Sequence, residues 1–146
     1  MHPLLTLCLP ALWIGCGDKN DDSGHAQAHE HGNTDLPDGF DPATEQMAMN
    51  GITISYVTDP TPIPESTEFA VTFTLSGGTL IQAEATMPTH GGHGMPVEPA
   101  LTDNGDGTFT AAPFEFSMPG YWVIHATVAG EDGIEERIDF DVDCCE

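Results

Sequence analysis

Glu68-Phe69-Ala70-Val71-Thr72-Phe73-Thr74-Leu75 sets a large apolar side chain at every second position. Successive side chains of a strand point to opposite faces, so Phe69, Val71, Phe73 and Leu75 share one face and Glu68, Ala70, Thr72 and Thr74 the other. The aromatic and β-branched residues suit a pleated, half-buried surface. This stretch predicts a strand with one face in a core. The fold follows from how often the pattern returns.

It returns in both directions. Upstream, Ile52, Ile54 and Tyr56 alternate with Thr53 and Ser55. Three prolines in Asp59-Pro60-Thr61-Pro62-Ile63-Pro64 separate the two strands with a loop. Downstream, Gly77-Gly78 makes a turn, and residues 80–87 read as a strand with Ile81, Ala83, Ala85 and Met87 on one face. A short strand at 97–101 meets a hairpin signal, Asp103-Asn104-Gly105-Asp106-Gly107. Phe114, Phe116 and Met118 share a face of the next strand, with Pro113 marking a bulge or an edge. Trp122, Ile124, Ala126 and Val128 then alternate with Val123, His125 and Thr127, which leaves His125 facing solvent. Ile138, Phe140 and Val142 close the series, with Glu135, Arg137, Asp139 and Asp141 outward. No stretch has a helical period. The expected fold is all-β: an immunoglobulin-like antiparallel β-sandwich of about seven strands over residues 47–143. The Cys-Cys tail, residues 144–146, follows it.

Residues 1–46 have a different character. An uncharged apolar run at 4–14 has the length of a secretory signal core and is too short to span a bilayer. It ends in Trp13-Ile14-Gly15-Cys16, which resembles a bacterial lipobox. The resemblance implies a signal peptide at 1–15 and a diacylated Cys16 that anchors the chain to a membrane. Gly17 after the cysteine mildly favours the outer membrane. Residues 16–46 are polar, acidic and aperiodic, as expected of a disordered tether. Within the tether, His25, His29 and His31 are a weak capture site for divalent copper, zinc or nickel.

Charge excludes several functions. There are 24 Asp plus Glu against two basic residues, Lys19 and Arg137, for a formal charge of −22. Phosphate binding needs Lys and Arg to displace counterions, so nucleic acid is excluded as a partner. Docking on anionic lipid through basic patches is excluded for the same reason.

The chemistry concentrates in Met87-Pro88-Thr89-His90-Gly91-Gly92-His93-Gly94-Met95-Pro96. Imidazole and thioether are good ligands for cuprous copper, and imidazole also suits the cupric ion. The glycines give the backbone freedom to turn His90, His93 and Met95 toward one point. Alternation assigns Met87 to a buried strand face and Met95 to the loop. Met87, Met118 and His125 are candidates for completing the site. The competing reading is a rigid turn in which the imidazoles hydrogen-bond the backbone. Asp103, Asn104 and Asp106 lack the twelve-residue calcium loop and serve a hairpin. Cys144 and Cys145 can bridge each other, pair with another chain or bind cuprous copper. No nucleophile turn or catalytic set is present, and the chain reads as a non-enzyme.

Residues 69–142 resemble the YtkA-like family, with FixH-like proteins as relatives. The motifs are a strand ending in Met87-Pro88, the turn His90-Gly91-Gly92-His93-Gly94-Met95, the turn Gly105-Asp106-Gly107-Thr108-Phe109, and the corner Met118-Pro119-Gly120-Tyr121-Trp122. The resemblance implies a small exported β-sandwich associated with copper handling or oxidase assembly in the cell envelope. Unlike FixH-like proteins, this chain has no transmembrane helix by sequence, and a lipid on Cys16 would replace it. Two functions are expected on this basis: copper delivery or buffering, or a β-sandwich module that pairs with an envelope protein.

Overall fold

The computed structural model describes residues 36–145. The segment expected to be a signal peptide, the expected lipidation site Cys16, and His25, His29 and His31 lie outside the described residues. Among the described residues nine strands form in order: β1 Glu45–Met47, β2 Thr53–Asp59, β3 Phe69–Leu75, β4 Thr79–Met87, β5 His93–Gly94, β6 Ala100–Asp103, β7 Thr108–Phe114, β8 Gly120–Ala129 and β9 Glu135–Cys144. They make two antiparallel sheets, ordered β1-β2-β3-β7-β6 and β5-β4-β8-β9. The expected all-β sandwich is therefore the observed one. The two strands beyond the expected seven, β1 and β5, are three and two residues long, too short to carry a period.

The opening stretch behaves as its alternation dictates. Phe69, Val71, Phe73 and Leu75 are buried in β3, paired to β2 on one side and β7 on the other. Trp122 is fully buried and stacks on Phe116, with ring centroids 4.5 Å apart and planes 4° apart. Its indole Nε1 donates to the Met118 carbonyl at 2.9 Å, which satisfies the one polar atom it brings inside. The β3–β7 register shifts between Phe69 and Val71, opposite Ala112 and Pro113, so the proline sits at a bulge as expected. Asp103 and Asp106 accept from the backbone N–H of Gly105 and Thr108 at 2.8 and 3.0 Å and stiffen the β6–β7 hairpin.

Three expectations need correction. The β4–β8 register shifts between Leu80 and Gln82. This bulge turns Leu80 inward and ejects Ile81, which is 44% exposed rather than on the core face. The folded region also begins before residue 47. Gln46 in β1 donates from Nε2 to the Asp139 carbonyl at 2.7 Å, and Phe40 packs edge-on against Tyr121 with centroids 6.1 Å apart. Lastly, His125 is buried, 5% exposed, although its strand position points it away from the core.

Candidate functional site

β4 ends at Met87, where Pro88 enters a single 3-10 turn, Pro88–His90. Proline suits that first position because its missing N–H would have no partner there. Gly91 and Gly92 both have positive φ, 73° and 74°, so the chain reverses where residues with a Cβ are disfavoured. The Gly92 N–H donates to the Met87 carbonyl at 3.2 Å. β5 then pairs back onto β4, with Met87 opposite His93 and Thr86 opposite Gly94. Backbone pairing alone holds this turn. His90 and His93 are both exposed, and neither imidazole has a hydrogen-bond partner among the described residues. The reading in which these rings brace the loop is therefore not the observed arrangement.

The thioethers divide as alternation predicts. Met87 is fully buried, and its Cε lies 2.7 Å from where a Cβ on Gly120 would stand. That contact puts the Met118-Pro119-Gly120 corner beside the root of the loop. Met95 and Met118 are half-buried and pack against the core. His90, His93 and Met95 thus stand on or just after the turn, and Met118 on the corner that meets its root. Among the described residues, no three His, Cys, Asp or Glu side chains form a metal-holding group. A site built on His90 and His93 would take a thioether as its next ligand.

His125 belongs to a different arrangement on the outer face of the β4–β8–β9 sheet. Asp139 Oδ1 lies 2.7 Å from Nδ1, and a carboxylate only accepts, so Nδ1 carries the proton. Nε2 is left to accept from the Thr86 hydroxyl at 2.8 Å. Arg137 donates from Nε to Asp139 at 2.7 Å and lays its Nη2 along the ring edge. Both ring nitrogens are occupied, so His125 does not join His90 and His93. Burial raises the Asp139 carboxyl pKa, but the hydrogen bonds from Arg137 and His125 outweigh it and hold the group below the usual carboxylate range. Sequence reasoning missed this network, which needs β4, β8 and β9 side by side. The neighbouring Tyr121 hydroxyl donates to Asp141 at 2.8 Å, and burial together with that carboxylate pushes its pKa up to about 12.

Cys144 and Cys145 are joined as a vicinal disulfide at the end of β9, with Cys144 buried. Comparison with family models, curated proteins and solved structures found no match. The YtkA-like resemblance accordingly rests on the motifs themselves. Among the described residues, no helix is long and apolar enough to cross a membrane.

Proposed function

We propose that the chain is an envelope protein, anchored through a lipid on Cys16, that binds copper through His90, His93 and Met95 for delivery or buffering. The observation that carries this reading is the pair of exposed, unpartnered imidazoles on a turn that does not use them. A ring with no structural task keeps its lone pair for a ligand. Met95 supplies a neutral sulfur that tolerates an oxidising compartment and favours the cuprous state. Met118, half-buried on the corner beside the loop root, is a further thioether candidate, whereas Met87 would have to leave the core to ligate. The charge of −22 concentrates cations near the surface.

The test is titration of the full chain with cuprous and cupric ions, repeated with His90→Ala, His93→Ala and the double variant. Tight stoichiometric binding that weakens in each single variant and is lost in the double one is the expected result. Binding that is unchanged in the double variant assigns the metal to other groups and sinks the reading. A complete lack of binding tighter than about 1 μM does the same.

A further inference from the structure

The sandwich has two lateral sides, and the described residues close only one. Along β9, Gln46 donates to the Asp139 carbonyl, the Met49 N–H donates to Glu136 at 2.8 Å, and the Asp41 N–H donates to Asp141 at 3.0 Å. Residues 41–49 therefore cover that edge. On the other side, β5 pairs with β4 only at Thr86 and Met87. Residues 79–85 of β4 have β8 on one edge and, among the described residues, no strand on the other. A groove of about 440 Å³ runs beside this open stretch, lined among others by Ile81, Gln82, Glu84, Met95, Glu98 and Leu101. An open strand edge presents backbone donors and acceptors ready to pair with another chain.

We infer that this groove receives an extended, Lys/Arg-bearing segment of a partner protein, which adds to β4 as an antiparallel or parallel strand. Three observations select that occupant. The charged groups lining the groove, Glu84 and Glu98, are both acidic, so a cationic segment is complementary. The exposed Ile81 and half-buried Met95 and Leu101 supply apolar contact beside those carboxylates for the uncharged side chains of an extended peptide. A second copy of this chain fits poorly, because each copy carries −22 and brings its own Glu84 to the same edge. The bulge at Ile81 and the charge on Glu84 are the devices by which natural edges resist self-pairing. The docking reading does not depend on copper.

The test uses the full chain in excess EDTA. The probe is a blocked peptide of about eight residues alternating Lys and Val, long enough to span the open stretch. Two controls accompany it: a Glu-for-Lys twin, and the Lys peptide N-methylated at every residue to remove the backbone donors of both its edges. Amide chemical shifts and hydrogen exchange are followed. The expected result is saturable binding with shifts and slowed exchange at residues 81–85, and no binding of either control. Glu98→Lys should weaken binding about threefold, and Glu84→Lys with Glu98→Lys about tenfold. The single variant keeps the test valid if Glu84→Lys, which also faces the field of Arg137, disturbs the fold. Shifts that avoid β4 would overturn the proposal. So would an N-methylated peptide that binds as tightly as its parent, since that is charge attraction without strand addition. Indifference of a folded Glu98→Lys variant removes the argument from complementarity and overturns the assignment of a cationic partner.

Discussion

Gly120→Ala tests how the corner and the loop root are packed. Gly120 has φ of 133°, a conformation that residues with a Cβ rarely adopt. Holding Ala there costs about 1–3 kcal/mol. The new Cβ would also stand 2.7 Å from Met87 Cε. Met87 is fully buried, so its methyl has no empty volume to enter, and overpacking adds about 1–2 kcal/mol after relaxation. The sum is about 2–5 kcal/mol. In urea, with a slope of about 1.5–2 kcal/mol per molar, the midpoint falls by about 1–3 M with the slope unchanged. The two contributions separate in a double-mutant cycle. Met87→Ala alone costs about 2–5 kcal/mol through its cavity. In that background, Gly120→Ala should retain only its backbone share, about 1–3 kcal/mol. A midpoint shift below about 0.3 M for Gly120→Ala refutes the backbone argument. An equal cost of Gly120→Ala in both backgrounds refutes the contact with Met87.

Phe116→Ala, which empties the face on which Trp122 stacks, should cost about 3–5 kcal/mol and shift indole fluorescence, both read in one denaturation experiment. Asp139 has a depressed carboxyl pKa, so its contribution to stability is present above about pH 4 and is lost as pH falls through the folded value. Asp139→Asn should flatten part of the acid limb of a stability–pH profile. The Tyr121 phenol, raised to about 12, contributes stability that is full below about pH 10 and lost as pH rises through the folded value. Asp141→Asn should bring its ultraviolet titration toward the ordinary phenol range, and an unchanged titration would remove Asp141 as a cause.

The two-residue period by itself determined the strands, their buried faces and the sandwich class. It works because burying one face of a strand requires alternation, whatever the partner. The turns were equally local: Asp103 to Gly107 carries the side-chain acceptors and glycines its hairpin needs. The sequence also separated Met87 from Met95, because one lies inside an alternating run and the other beyond it. Tertiary structure alone decided the rest. The bulge that ejects Ile81 depends on register with β8, which no single strand encodes. β1 and β5 exist because longer neighbours offer them an edge. His125 was legible as outward-facing but not as buried. Its hydrogen bonds come from Thr86 and Asp139 on flanking strands, and Arg137 covers the ring edge. Conversely, His90 and His93 have no such neighbours, and that difference between chemically identical side chains is a property of the assembled sheets.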